Sequence, residues 1–224
     1  MPKDSGGGLQ KSQKAKWKAA IYKELQALAD LNVFRLVKRT PDMHVLKNRW
    51  VFAEKTEDGN KVIEERARLV VKGCFQQYGI DYQETFSPTV KLQSVKILLT
   101  LAAYYDLELI QFDVGTAFLN AELNEQIYIE VPEGMEVPND GEEYVLQLLK
   151  ALYGLKQANR AWNKTVTADF KSQKFEVSPF DPCVFTKRNG DKLWYLYMLM
   201  MAWWPQMIQM NGSDSFKYYN QNPN

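Results

Sequence analysis

The stretch LELIQFDVGTAFLN, residues 107–120, decides the fold because a carboxylate stands inside an otherwise apolar segment. The apolar and aromatic residues before it predict a strand over 107–114, with Asp113 near its end. A buried carboxylate is unfavourable unless it is paired, hydrogen-bonded or bound to a metal. Asp113 therefore either caps the turn after the strand, which is a common arrangement, or supplies an oxygen ligand to Mg²⁺.

Helices and strands alternate on both sides of this stretch. Apolar residues at helical spacing predict an amphipathic helix from Lys16, and apolar residues nearly all round predict a buried helix over 92–105. Two strand-like runs around the turn at 57–60 predict a hairpin that Gly73 ends. We expect further strands at 34–37, 127–131, 144–148, 184–185 and 193–197, a turn or helix at 118–123, and a helix at 157–174. This order predicts an α+β fold.

Composition limits the class of protein. Of 224 residues, 46% are hydrophobic and 25% are charged, which is typical of a folded globular chain. The 28 Lys and Arg against 27 Asp and Glu leave a net charge of +1, so any surface that attracts polyanions must be local. Cys74 and Cys183 form no CxxC pair, so we expect a reducing compartment and no structural zinc. His44 is the single histidine, which argues against a His-rich metal site and a hydrolase triad.

Targeting signals are also missing from the pattern. The first ten residues are polar and include three consecutive glycines, unlike a secretory signal. The longest apolar run, residues 193–204, is shorter than the roughly 20 residues that cross a bilayer. We therefore expect an intracellular protein that is neither secreted nor bound in a membrane.

Five ordered blocks resemble the reverse transcriptases of copia-type LTR retrotransposons. Residues 113–120 are similar to the first palm motif of that family, and they extend the interpretation of Asp113. The other similar blocks are ERARLVVKG at 65–73 in the fingers, YGIDYQETFSP at 78–88 in the link to the palm, LYGLKQA at 152–158 with RAW at 160–162 in the second palm motif, and residues 175–185 before the catalytic hairpin. The resemblance extends from about residue 17 to residue 197.

The resemblance implies an α+β fold made of polymerase fingers and a partial palm, in which a ferredoxin-like sheet packs on helices. Thumb and RNase H domains are absent from it. The implied organisation is a disordered lead-in at 1–15, a fingers and palm fragment at 16–197, and a tail at 198–224. The implied function is that of a fragment of an RNA-directed DNA polymerase. Its expected location is the cytoplasm, the nucleus or virus-like particles.

The same resemblance implies catalytic and metal-binding roles. Asp113 would be one of three carboxylates that hold two Mg²⁺ ions, and the Val114 carbonyl would face a metal. Such ions activate the primer 3′-hydroxyl and neutralise charge on the triphosphate. The implied partners are an RNA or DNA template-primer and a deoxynucleoside triphosphate.

Nucleotide-binding roles follow from the resemblance as well. Arg68 and Lys55 on the fingers would clamp the triphosphate, for which the planar guanidinium is well suited. Phe118 would lie under the sugar and exclude a 2′-hydroxyl, while Tyr153 and Gln157 would line the nucleotide and the template. From the residues alone, Phe118 is equally a core residue and Arg68 a solvated strand residue.

The chain departs from the family where the last two carboxylates are expected. A Tyr-x-Asp-Asp hairpin should follow the strand that ends at Tyr197, but residues 198–204 read MLMMAWW. No acidic residue occurs between Lys192 and Ser213. We expect the palm sheet to lack the second hairpin strand, and the strand of Asp113 to lie next to the strand of Tyr197.

The genetic code offers an explanation. If Tyr197 is encoded UAU and Leu199 UUG, reading from the last base of codon 197 gives Tyr-Val-Asp-Asp, then Gly, a variable residue, Val and Ala. The second Asp needs no assumption, because Met200 and Met201 have single codons. This indicates two inserted bases or one deleted base, and a tail at 198–224 that is translated out of frame. The alternatives are a genuine Met- and Trp-rich binding segment and, for the whole chain, a non-catalytic module that binds nucleic acid or nucleotide.

Overall fold

A computed structural model describes residues 11–57, 61–189, 192–201 and 204–211 of the chain. These residues form three helices, α1 (Lys11–Asp30), α2 (Leu92–Tyr104) and α3 (Ala158–Ser172). Their strands are β1 (Phe34–Lys38), β2 (Val45–Leu46), β3 (Asn48–Glu57), β4 (Lys61–Val71), β5 (Glu108–Asp113), β6 (Glu122–Glu130), β7 (Tyr144–Lys150), β8 (Glu176–Val177), β9 (Val184–Asn189), β10 (Lys192–Met201) and β11 (Trp204–Asn211). Short 3₁₀ turns lie at Gly73–Phe75 and Ala117–Asn120. The predicted α+β class is confirmed.

The described strands form three sheets, with the orders β1-β7-β6-β2, β5-β11-β10-β9-β8 and β3-β4. The chain divides into two compact units. Unit 1 comprises Met1–Thr85 and Phe118–Ala161, and unit 2 comprises Phe86–Ala117 and Trp162–Asn224. The β3–β4 hairpin and the four-stranded sheet belong to unit 1 and the five-stranded sheet belongs to unit 2, while the predicted fingers and palm assignment stays a prediction.

In unit 1 the β3–β4 hairpin packs one face against α1. Alternate residues of β4 are buried because successive side chains of a strand point to opposite faces. Ala67 joins a core with Trp17 and Ile21 of α1, and Trp17 meets the Phe52 ring edge-on at 5.1 Å between centroids. Helix α1 begins at Lys11, five residues before its predicted start, while residues 1–10 lie outside the described part.

The predicted hairpin is confirmed, and residues 58–60 of its turn lie outside the described part. In the four-stranded sheet of unit 1 the end of β6 has the same alternation, whereas four consecutive residues of β7, 145–148, are buried. Ile127 and Ile129 of β6 and Leu146 and Leu148 of β7 are almost completely buried. These side chains anchor the loops that follow the two strands.

Helix α2 of unit 2 is less buried than predicted. Leu98 and Ala102 are buried against Val184, whereas Leu92 and Ile97 are 64% and 59% exposed. A stripe of residues spaced three and four apart makes the contact with β9, and the apolar residues on the other faces remain in solvent. The spacing of apolar residues indicates which faces of a helix could be buried, but it does not show which faces have a packing partner.

Strand β11 corrects two expectations about the sheet of unit 2. It pairs with β10 on one side and with β5 on the other, so the second hairpin strand is present and the strand of Asp113 is not adjacent to that of Tyr197. Both strands do belong to the same sheet. Unpaired N–H and C=O groups at a sheet edge can pair with an extended segment, and β11 takes this place between β5 and β10.

Candidate nucleotide-binding site

Three of the predicted nucleotide-binding residues come together in unit 1. The Arg68 guanidinium of β4 lies 5.6 Å from the centroid of the Tyr153 ring. Phe118, in the 3₁₀ turn, meets the same ring edge-on with 5.4 Å between centroids. Stacking on an aromatic face holds a guanidinium in place while it stays charged. The cluster therefore presents a fixed cation beside two rings, which suits a phosphate next to a sugar and base.

The backbone fixes the loop that carries Tyr153. The N–H of Val71 donates to the Tyr153 carbonyl at 2.8 Å, so the loop docks on the end of β4. Gly154 has φ +92°, and a Cβ there would lie 2.0 Å from the Val71 carbonyl oxygen. Only glycine satisfies both the left-handed backbone and this close approach.

Lys55 lies on the same face of the hairpin as Arg68. The register pairs Val51 with Arg68 and Lys55 with Glu64, and cross-strand partners point to the same side. Lys55 is exposed and stands four paired positions further toward the hairpin turn. The hairpin therefore carries both predicted clamp residues on one face, at different distances from Tyr153.

A carboxylate of α1 lies behind the Arg68 cluster. Glu24 accepts a hydrogen bond from the Leu69 N–H at 3.3 Å. Burial raises the pKa of Glu24 above its ordinary value, although the Leu69 N–H and the charge of Arg68 act in the opposite direction. Glu24 thus adds negative potential on the inner side of the cluster.

Gln157, which is predicted to line the nucleotide and the template, is buried in unit 1. Its side chain is 3% exposed, its Oε1 accepts from Gln76 Nε2 at 2.9 Å, and its Nε2 donates to the Asp81 carbonyl at 2.7 Å. These bonds tie the loop at 155–157 to the segment at 76–81. In this structure Gln157 positions the loop, and its contact with nucleotide or template stays a prediction.

The structure also shows a buried acid to which sequence interpretation gave no role. Asp81 is completely buried, accepts the Gln77 N–H at 2.7 Å and lies 2.9 Å from His44 Nδ1. The sequence offers no turn signal for this bond, because an Asx turn joins a carboxylate to the N–H two residues later, whereas Asp81 accepts from an N–H four residues earlier. Its His44 partner is 37 residues away and gives no local signal.

Asp181 has a comparable role in unit 2. Its carboxylate accepts from the Lys91 N–H at 2.9 Å and the Ser94 hydroxyl at 2.6 Å, at the start of α2, and from the Cys183 N–H at 3.0 Å. Burial alone would raise its pKa, but these donors hold the pKa of Asp181 below its ordinary value. Burial, with a smaller contribution from Asp181, raises the pKa of Cys183 to about 12, so this thiol is not a nucleophile at neutral pH.

Asp113 and Val114 lie in unit 2. Asp113 ends β5, where its backbone pairs with Gln206, and the position of its side chain lies outside the described part. Val114 is 4% exposed. Gln206 in turn pairs with Leu199 of β10. The row of paired residues across the sheet, Asp113–Gln206–Leu199, therefore contains no second carboxylate.

The described part of the chain shows one carboxylate position in this row, that of Asp113. Carboxylates bridging both metals are needed for two-metal chemistry, and the row supplies one. Among the residues that the structure describes, no group of three His, Cys, Asp or Glu is placed to hold a metal ion. In that same part of the chain, Cys74 and Cys183 are free thiols, and no helix is long and apolar enough to span a bilayer.

Comparison with known proteins bears directly on the five sequence blocks. The profile of the family described as reverse transcriptase (RNA-dependent DNA polymerase) matches residues 31–214. This chain belongs to the reverse transcriptase family. The match ends 17 residues beyond Tyr197, where sequence interpretation ended the resemblance. It covers the hairpin, the Tyr153 loop and the three strands β9, β10 and β11 that follow Cys183.

The curated relatives of this reverse transcriptase domain are plant transposon polyproteins. The retrovirus-related Pol polyprotein from transposon TNT 1-94 of Nicotiana tabacum is 42% identical over 180 residues, which are 80% of this chain. Those from transposons RE2 and RE1 of Arabidopsis thaliana are each 34% identical, over 89% and 92% of the chain. The chain spans only 14%, 13% and 14% of these three polyproteins. The predicted copia-type resemblance is confirmed.

Proposed function

We propose that this reverse transcriptase domain keeps the nucleotide-holding part of a polymerase and lacks the metal-holding part. In this proposal the β3–β4 hairpin acts as fingers, and the sheet that contains β5 is the remnant of a palm. The partners are a template-primer and a deoxynucleoside triphosphate, as in the family. The chain is then enzymatic by descent and inactive with the sequence it has.

The observation that carries the nucleotide-binding half is the Arg68–Tyr153–Phe118 cluster. In the proposal, Arg68 binds the triphosphate oxygens through its planar fork, and Lys55 adds a second cation on the same face. Phe118 stands against the sugar, where its bulk excludes a 2′-hydroxyl. Tyr153 supports both groups through its ring contacts.

The test compares Arg68→Lys with Arg35→Lys. Arg35 is also hydrogen-bonded, to Gln147 Oε1 at 2.8 Å, but it lies on β1 in the other sheet of unit 1. The measurement is the strengthening of template-primer binding that a complementary deoxynucleoside triphosphate produces. Lysine keeps the charge but loses the fork and the stacking, so we expect about a tenfold weaker nucleotide effect, or about 1.4 kcal/mol. Arg35→Lys should match the unchanged chain, and equal effects in the two variants would contradict the role of Arg68.

The absence of an acidic residue between Lys192 and Ser213 supports a second part of the proposal, that residues 198–224 are read out of frame, although the family profile matches as far as residue 214. The sheet row Asp113–Gln206–Leu199 includes one of the codons from which the shifted frame would yield Asp-Asp. Restoring the frame would thus place carboxylates in the same sheet as Asp113. The nucleotide sequence around codon 197 decides this point. A sequence that cannot encode Tyr-Val-Asp-Asp in any frame contradicts it.

A further inference from the structure

The segment from Phe75 to Tyr82 exposes large apolar side chains on a rigid backbone. Phe75, Tyr78 and Ile80 are 55%, 72% and 58% exposed, although they stand within six residues of one another. Single exposed apolar residues are ordinary, whereas a cluster of them marks a binding surface. Three exposed apolar side chains in so short a turn therefore indicate a binding surface.

Buried polar contacts hold this turn in place. The N–H of Gly79 donates to the Tyr82 carbonyl at 2.9 Å, and the N–H of Asp81 donates to the Gln77 carbonyl at 2.9 Å. The Asp81 carboxylate fixes Gln77 and His44 from the inside. A turn ordered in this way loses little conformational entropy when a ligand binds to its outer side.

The charge on the outer side is positive. Lys156 Nζ lies 4.6 Å from the centroid of the Tyr82 ring and 3.3 Å from its hydroxyl. The segment from 73 to 85 contains two carboxylates, of which Asp81 is buried and Glu84 is paired with Arg160. A ligand on the aromatic surface would therefore lie beside a lysine, and it would meet no unpaired carboxylate of this segment.

Aromatic rings next to cations suit one class of ligand above others. Bases of single-stranded nucleic acid stack on exposed tyrosine and phenylalanine rings, and nearby lysines bind the phosphates. The segment begins next to the Tyr153 loop, because a Cβ on Gly73, two residues before Phe75, would lie 2.1 Å from the Gly154 carbonyl oxygen. We propose that the segment Phe75–Tyr82, with Lys156, is a platform on which unpaired bases of a template strand stack. This inference rests on the proposed function and names where its single-stranded part binds.

The experiment measures fluorescence anisotropy of two labelled template-primers that share one duplex. One ends blunt, and the other carries a single-stranded template extension of about eight nucleotides, within the span of one binding module. The variants are Tyr78→Ala, Tyr78→Phe and, as a matched control, Tyr104→Ala. Tyr104 is 79% exposed, like Tyr78, but belongs to unit 2.

We expect the unchanged chain to bind the extended form more tightly than the blunt form. Tyr78→Ala should weaken binding of the extended form about tenfold, because the stacking surface for a base is lost, and should leave the blunt form unchanged. Tyr78→Phe retains the ring and should bind like the unchanged chain, as should Tyr104→Ala. Lys156→Gln should reduce the salt dependence of binding to the extended form by about one phosphate contact.

Two failures are distinguishable. If the unchanged chain binds both forms and Tyr78→Ala has no effect, or weakens both forms equally, the platform is wrong and the proposed function stands. If the unchanged chain binds neither form, the proposed function and the platform are both wrong. Preference for the extended form that survives Tyr78→Ala also overturns the inference.

Discussion

The two units differ in which of the predicted site residues they bring together. Unit 1 brings Arg68, Tyr153 and Phe118 together around a loop that docks closely on β4. Unit 2 has a packed core and a five-stranded sheet, but Gln206 and Leu199 share the sheet row of Asp113. Strand pairing depends on backbone groups, whereas binding of a metal ion depends on side-chain ligands. A sheet can therefore form with side chains that cannot bind a metal ion.

Their buried carboxylates make the same contrast on a smaller scale. Asp181 in unit 2 has three donors, which hold its pKa low against the effect of burial. Glu24 in unit 1 has one backbone donor, and burial raises its pKa. The two acids should therefore give opposite pH dependences of stability.

The largest effect should come from the core of unit 2. Phe170 is 1% exposed, and its ring lies 5.0 Å from that of Phe185 and 5.8 Å from that of Phe175. Phe170→Ala should lower the free energy of unfolding by about 3–5 kcal/mol, because it removes buried area and leaves a cavity. Phe180→Ala, at a residue 82% exposed, should change it by less than about 0.5 kcal/mol. Similar losses in denaturant titrations of the two variants would show that unit 2 has no packed core.

A close approach between backbones should give the next largest effect, in unit 1. Gly154→Ala combines left-handed backbone strain with a clash against the Val71 carbonyl, so we expect a loss of about 3 kcal/mol and a displaced Tyr153. Gly141→Ala is the matched control, because Gly141 has φ +83° but open space around its Cβ position. It should lose about 1 kcal/mol. Equal losses would mean that the loop is not pressed against β4.

The network around Asp181 should give an intermediate effect with a defined pH dependence. Asp181→Asn leaves donors without an acceptor and should cost about 2 kcal/mol at neutral pH. Because the folded pKa is below the ordinary 3.8, the carboxylate stabilises the protein above that pH, and this contribution is lost as the pH falls through the folded pKa. Thermal unfolding curves of variant and unchanged chain should therefore converge in acid. A difference that persists at the lowest pH would contradict the charge-based explanation.

Glu24 should give the smallest effect, with the opposite sign. Glu24→Gln keeps an acceptor for the Leu69 N–H and removes a buried charge, so we expect a gain of about 0.5 kcal/mol at neutral pH. Because the pKa of Glu24 in the folded protein is above the ordinary 4.5, protonated Glu24 stabilises the protein below pH 4.5. This contribution is lost as the pH rises through the folded pKa. The gain should thus disappear in acid. A loss of stability at neutral pH would show that the attraction between Glu24 and Arg68 outweighs burial.

Short sequence patterns predicted the helices and strands that depend on neighbouring residues of the chain. The hairpin of β3 and β4 follows from two strand-like runs around one turn, and the end of β5 at Asp113 follows from a single apolar run. The extra strand β11 was missed because family resemblance was used to judge pairing, although pairing depends on backbone groups. The exposure of α2 was missed because periodicity does not reveal whether a partner is present.

The members of the candidate site could be predicted where they belong to a recognisable sequence motif. Arg68, Phe118 and Tyr153 come from three separate blocks, and the structure places them together. The burial of Gln157 was not predictable, because its partners Gln76 and Asp81 lie about 80 residues earlier in the chain. The donors of Asp181 are similarly distant, 87 to 90 residues away, for Ser94 and Lys91.

Primer extension shows whether this chain can polymerise DNA. The 224-residue chain is incubated with template-primer, deoxynucleoside triphosphates and Mg²⁺, beside an Asp113→Asn variant and a chain whose frame is restored after Tyr197. Our account predicts that the unchanged chain binds the template-primer but does not extend it, because one carboxylate cannot hold two ions. The restored chain should extend the primer. Extension by the unchanged chain that Asp113→Asn abolishes would contradict the account.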